Sequence, residues 1–326
     1  MTEYRWAVLG CGAIANQMAR AMEKKGRRLW AVASRTPQKA EAFGKTYGIP
    51  KVYETIDELL MDKEIDIVYI ATPHNTHIQY LRQAIKAGKH VLCEKSITLN
   101  LEELKEAVSL AKENHVVLAE AMTIYHMPLY RKLRSIADSG QLGKLKLIQM
   151  NFGSYKEYDE NNRFFSPKLA GGAMLDIGVY ALSFVRWFLS SKPDDILSQV
   201  NFAPTGVDEQ SGILLKNQEG EMACVTLSLR AKQPKRGTIV YEKGYIEVYE
   251  YPRADKAVIT YTEGSREEIV EAGEEADAME YEIDHMEAAV GGEPGLMYLE
   301  HTEDVMDIMT AIRNQWGFRY PEERKE

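Results

Sequence analysis

A chain of 326 residues is long for a single hydrophobic core, and with 45% hydrophobic and 27% charged residues it has the composition of an ordinary globular protein. A formal charge of −9 opposes binding to nucleic acid, while leaving room for a local basic patch that holds a cofactor phosphate. The opening MTEYRWAVLG has no secretory pattern, no uninterrupted apolar run is of membrane-spanning length, and Cys11, Cys93 and Cys224 lack metal-like or redox spacing. These features predict a cytoplasmic protein of two domains, with no nucleic-acid or membrane partner.

Over residues 1–121, apolar β-type runs at 6–9, 29–33, 67–71, 90–93 and 116–119 alternate with helical patterns at 76–87 and 101–113. That rhythm predicts a doubly wound parallel sheet covered on both faces. The rhythm changes over 122–326. A helix is expected at 128–139, a strand at 145–152, a polar aromatic loop up to Gly172 and a helix at 174–189. Strand candidates follow at 212–216, 223–229, 238–241, 245–249 and 257–261, which predicts an α+β domain with a mostly antiparallel sheet. The stripe Val305, Ile308, Met309 and Ile312 reads as core packing, and the acidic stretch 271–282 as a solvated surface.

Gly10-Cys11-Gly12-Ala13-Ile14-Ala15 sits between the first strand and the next helix as a G-x-G-x-x-A turn. In that context Gly10 permits the turn, Gly12 leaves room for a pyrophosphate, and the helix start, with Ala13 and Ile14, offers N–H groups to phosphate. The second strand ends in Ala33-Ser34-Arg35-Thr36, with no acid to hold a ribose 2′-hydroxyl. Ser34 and Arg35 suit a 2′-phosphate, so NADP is the expected cofactor and NAD the alternative.

Two further strand ends lie on the same sheet edge: Ala71-Thr72-Pro73-His74-Asn75-Thr76-His77 and Glu94-Lys95-Ser96. Ligands of open parallel sheets bind there, which places Lys95 at the nicotinamide, where a partly desolvated lysine can exchange protons. Asp176 and Tyr180 are four residues apart on an expected helix and share one face, a carboxylate and a phenol suited to a proton relay with a lysine. His74 and His77 lack a carboxylate or cysteine partner, so no metal is expected.

These segments resemble the Gfo/Idh/MocA oxidoreductases over nearly the whole chain. The glycine-rich turn matches Gly10 to Ala15, and the E-K-P motif matches Glu94-Lys95 with Ser96 in place of proline. The G-G-G-x-x-x-D-x-G-x-H segment matches in part, with Ala170 for the first glycine and Tyr180 for histidine. Tyrosine there resembles the branch of dimeric dihydrodiol dehydrogenases, xylose dehydrogenases and glucose-fructose oxidoreductase. The resemblance implies a Rossmann domain joined to a domain built on an open sheet, often the dimer interface, hence a homodimer or homotetramer. It further implies that Lys95 orients the reacting oxygen, Tyr180 is the acid or base and Asp176 positions substrate. Glu94 and Pro73 then contact the nicotinamide end, with Thr72, His74 and His77 as cofactor-side candidates.

The expected activity is reversible hydride transfer between nicotinamide C4 and a carbon of a sugar, polyol or cyclic diol. Two alternatives fit the resemblance: an NAD-dependent glycosidase that oxidises its substrate transiently, and a non-catalytic, cofactor-sensing regulator. The loop at 155–168, with Arg163, Phe164 and Phe165, reads either as a cover over substrate or as a packed surface loop.

Overall fold

The computed structural model describes residues 3–264 and 266–323, and the chain divides into two units. The first comprises Met1–Thr98, Glu102–Ala121 and Met279–Leu299. Its six-stranded sheet contains β1 (Trp6–Leu9), β2 (Ala31–Ala33), β3 (Lys51–Val52), β4 (Ile67–Ile70), β5 (His90–Glu94) and β6 (Leu118–Ala121). All pairings are parallel and the order is β3-β2-β1-β4-β5-β6, the doubly wound arrangement. β1 and β4 are buried at every position, so their sequences show apolar runs without alternation. Helices α1 (Ala13–Lys24), α2 (Pro37–Tyr47), α3 (Ile56–Met61), α4 (His77–Lys86) and α5 (Leu101–Glu113) supply the crossovers.

The acidic stretch is solvated at Glu271, Glu274 and Glu275, and only its end, from Ala278, departs from the expectation. It runs into a helix at Ala278–Val290 whose Met279, Ile283 and Met286 enter the first unit's core beside Trp6, Met18 and Met22. Its acids face the basic end of α1: Lys24 pairs with Glu280 and Lys25 with Asp284, both at 2.7 Å. Glu287 accepts from Trp6 Nε1 at 2.7 Å and pairs with Arg27 at 2.7 Å, and Glu282 is buried.

The second unit comprises Leu99–Leu101, Met122–Ala278 and Glu300–Glu326. Its strands are β7 (Leu145–Gly153), β8 (Asp195–Phe202), β9 (Asp208–Lys216), β10 (Met222–Ser228), β11 (Arg236–Tyr241), β12 (Gly244–Tyr249), β13 (Lys256–Tyr261) and β14 (Glu267–Glu271). They form one eight-stranded sheet in the order β14-β13-β12-β11-β7-β10-β9-β8. Only β7 and β10 pair in parallel; the other neighbours are antiparallel. Along β9, Ser211, Ile213 and Leu215 point inward while Gly212, Leu214 and Lys216 are exposed, the alternation of a sheet with one covered face.

Pro167–Phe188 is a segment long and apolar enough to cross a membrane, but 83% of its most apolar window is buried inside the protein. It is the core helix of the second unit. After α6 (Thr123–His126) and α7 (Pro128–Asp138), its main helical part opens with a π-helical turn at Met174–Gly178 and continues as α8, Val179–Phe188. The start of this helix lies in the core, where its backbone N–H groups cannot reach water. Asp208, fully buried at the start of β9, accepts the Met174 N–H at 2.6 Å. Gly172 has φ +122°, and a Cβ there would collide with Asp208 Oδ1, so only glycine lets the carboxylate approach. Tyr320 Oη donates to Gly171 O at 2.7 Å, and the buried Arg313 holds Glu323 at 2.6 Å.

Burial pushes the Asp208 carboxyl up to about 7, against the opposing pull of the Met174 N–H and Arg313. An unfolded aspartate titrates near ~3.9. Between about pH 4 and 7 the folded protein therefore holds a proton that the unfolded chain has lost, and stability falls as pH rises through that window. Asp208→Asn keeps an acceptor for Met174 and cannot titrate. Urea unfolding across this range should show a shallower decline for the variant than for the native chain. Parallel profiles would contradict the assignment.

Candidate active site

The first unit presents its candidate residues at the carboxyl edge of the parallel sheet. Gly10 has φ +99°, and a Cβ there would meet Ala71 O at 2.6 Å. Its N–H donates to Ala33 O at 2.9 Å, which ties the turn after β1 to the end of β2. A Cβ on Gly12 would meet nothing within 4 Å, so space is open before α1. Gly12 caps that helix without a side-chain hydrogen bond, and the first turn, which holds Ala13 and Ile14, contains no acid. Open space and an uncapped positive dipole end are what a pyrophosphate requires.

Beyond β2, Ser34 Oγ accepts the Thr36 N–H at 3.3 Å and bonds the Cys11 thiol. Burial raises the thiol's pKa, while the Ser34 bond and the charge of Lys39 oppose it. Arg35 is exposed and forms no ion pair among the described residues. The fit to a dinucleotide thus has two parts: a cradle without a side chain at Gly12, and an unneutralised guanidinium at the end of β2.

The segments after β4 and β5 are bound together by histidine. His77, fully buried at the start of α4, places Nε2 2.8 Å from Thr72 O and Nδ1 2.9 Å from Ser96 O. Two carbonyls facing one ring favour the doubly protonated form, yet burial is the larger effect and lowers the pKa below the ordinary histidine value. In the neutral ring one carbonyl receives the N–H. His74 Nε2 reaches Lys95 O at 3.0 Å, and Thr76 Oγ1 donates to Pro73 O at 2.7 Å. Tyr69 donates to the Glu94 carboxylate. His74 and His77 therefore bond the backbone at Lys95 and Ser96.

In the second unit Asp176 lies in the π-helical turn and Tyr180 in the first turn of α8. Asp176 is buried, with Arg163 Nη1 3.4 Å from its Oδ1. Tyr180 is partly exposed, and its ring centroid lies 6.2 Å from that of Phe152 on β7. The candidates thus divide: Gly10, Gly12, Ser34, Arg35, Thr72, Pro73, His74, His77, Glu94 and Lys95 belong to the first unit, and Asp176 and Tyr180 to the second. Sequence reasoning missed Asp208, because an isolated aspartate before an alternating strand carries no signal that it holds a helix start 34 residues away.

Comparisons with known proteins agree with this architecture. Residues 4–122 match a model described as an oxidoreductase family with an NAD-binding Rossmann fold, and residues 130–247 match the GFO/IDH/MocA C-terminal domain. The chain is 28% identical to the trans-1,2-dihydrobenzene-1,2-diol dehydrogenase of Xenopus laevis, covering 97% of this chain and 99% of that protein. The Danio rerio enzyme of the same name is 32% identical over 75% of this chain and 74% of its own. Among solved structures, KijD10, a 3-ketoreductase from Actinomadura kijaniata in complex with NADP and TDP-benzene, superposes with a TM-score of 0.85 at 23% identity. That alignment covers 96% of this chain and 98% of KijD10. The glycine turn, the strand order and both domain matches converge: the chain belongs to the Gfo/Idh/MocA family of NAD(P)-dependent oxidoreductases.

Proposed function

We propose that the protein is an NADP(H)-preferring dehydrogenase or reductase that moves a hydride between nicotinamide C4 and a carbon of a sugar, polyol or cyclic diol. The observation that carries this reading is the cofactor edge: an open cradle at Gly12 followed by the exposed Arg35, which forms no ion pair among the described residues. The names of the similar enzymes, dehydrogenases of a cyclic diol, support the substrate class. The bound nicotinamide supplies or accepts the hydride.

The chain's own residues bind, orient and move the proton. Gly10, Gly12 and the first turn with Ala13 and Ile14 hold the pyrophosphate, Ser34 and Arg35 the 2′-phosphate, and Thr72, Pro73 and Glu94 the nicotinamide end. Lys95 orients the reacting oxygen and helps pass its proton, Tyr180 serves as the acid or base, and Asp176 positions the substrate. His74 and His77 keep the Lys95 backbone in register.

We further read the assembly as a homodimer or homotetramer through the open sheet of the second unit. The sheet exposes Leu197, Leu214 and Met222 on β8, β9 and β10. In register Leu197 stands beside Leu214, which makes a contiguous apolar surface of the kind a partner covers. The free thiols Cys11, Cys93 and Cys224 suit the cytoplasm.

Three measurements test these assignments. In Lys95→Ala, turnover of the preferred polyol measured by absorbance of reduced nicotinamide should drop about 10²- to 10⁴-fold, the usual contribution of a positioned proton-transfer group. Turnover at the native rate would remove Lys95 from the mechanism. In Arg35→Ala, nicotinamide fluorescence should report NADPH binding weakened by roughly one to two powers of ten, as expected for losing a charge-assisted contact, with NADH little altered. Equal weakening of both cofactors would contradict NADP preference. Light scattering should give a mass of at least twice 37.0 kDa, whereas a monomer would overturn the proposed assembly.

A further inference from the structure

Lys156, Arg163, Arg230 and Lys235 of the second unit are each placed over an aromatic ring, and two members of the group, Arg163 and the ring under Lys235, reach the residues assigned to substrate. Lys156 Nζ lies 4.7 Å and Arg163 Cζ 4.1 Å from the centroid of the same ring, Phe164. Arg230 Cζ is 6.0 Å from the Tyr155 centroid and 5.9 Å from that of Tyr158, and its Nη1 donates to Lys156 O at 3.5 Å. Lys235 Nζ sits 5.8 Å from the Phe152 centroid. Arg163 pairs with Asp176, and Phe152 packs against Tyr180. Beside the cluster lies a concavity of about 700 Å³ lined in part by Tyr155, Lys232, Lys235 and one acid, Glu250.

Two of the four cations, Lys156 and Arg230, lack a matching acid among the described residues, and Lys235 meets Glu250 only at 4.0 Å. Glu157 and Glu160 of the same loop are exposed and bind none of the four cations, while Asp159 caps Asn161 at 2.9 Å. In a chain of net charge −9, unneutralised cations beside a substrate site carry mutual repulsion that a bound anion removes. A guanidinium stacked on a ring keeps its N–H edge free for carboxylate or phosphate oxygens.

We infer that the substrate carries an anionic group, a carboxylate or a phosphate on its sugar or polyol, and that Lys156, Arg163, Arg230 and Lys235 bind it. This rests on the assignment of Asp176 and Tyr180 to substrate in the proposed function. The loop that carries Lys156 and Arg163 is then a specificity element, and neutral sugars are poor substrates.

The test measures binding rather than turnover. With the dinucleotide site saturated by NADPH, ligand-observed NMR compares glucose, glucuronate, glucose 6-phosphate and inorganic phosphate on the native protein, on Lys156→Ala/Arg230→Ala and on Arg230→Lys. At least one anionic sugar should bind about tenfold or more tightly than glucose, the scale of one charge-assisted contact. The advantage should shrink with added salt, vanish in the double variant and persist in Arg230→Lys. Equal binding of glucose and both anionic sugars overturns the inference, as does a preference that the double variant keeps. Inorganic phosphate binding as tightly as glucose 6-phosphate also overturns it, because the cluster then holds a free anion. A protein that binds anionic sugars but reduces none of their keto forms loses the oxidoreductase reading alone.

Discussion

In each unit the segment assigned to function begins where the backbone has no room for a side chain and its polar groups need a fixed partner. At Gly10 the obstacle is the carbonyl of Ala71 on the neighbouring strand end. At Gly172 it is the carboxylate of Asp208, brought into the core because the helix carrying Asp176 and Tyr180 starts there. A buried helix start leaves N–H groups that water cannot reach, and an anion is the strongest acceptor for them. The aspartate satisfies Met174 while tending to protonate, since desolvation of a lone carboxylate opposes its charge. The helix that carries Asp176 and Tyr180 starts at this contact.

The edge of the parallel sheet obeys the same logic with different groups. Carbonyls at the ends of β4 and β5 would be left without donors in a partly closed site, and the ring of His77 bridges Thr72 to Ser96. His74 reaches the carbonyl of Lys95 itself. Both histidines reach backbone carbonyls at the strand-end lysine or the residue after it, so the segments after β4 and β5 are held to each other.

Much of the architecture was legible because buried parallel strands and half-covered antiparallel strands leave different patterns. The continuous apolar runs of β1 and β4 and the alternation along β9 are direct records of which faces are covered. β8 was not legible: Leu197 and Phe202 are exposed on it, so apolar residues do not mark an inner face. The helix at 278–290 was hidden by its acids, whose partners on α1 are more than 200 residues away in sequence. The glycine turn and Lys95 could be read locally, since each belongs to a strand-to-loop motif. Asp208 and Arg230 could not, because each acts on a segment reached only through folding.

The central claim is that this chain directs a hydride between nicotinamide and a hydroxyl-bearing carbon. The most direct measurement is to supply NADPH deuterated at the transferring position of C4 with a mixture of keto-sugars, inosose and cyclic hydroxyketones, and to follow the label by mass spectrometry. The account predicts one deuterium bound to the carbon of a newly formed hydroxyl. Label that stays on the cofactor with every carbonyl compound offered would contradict it.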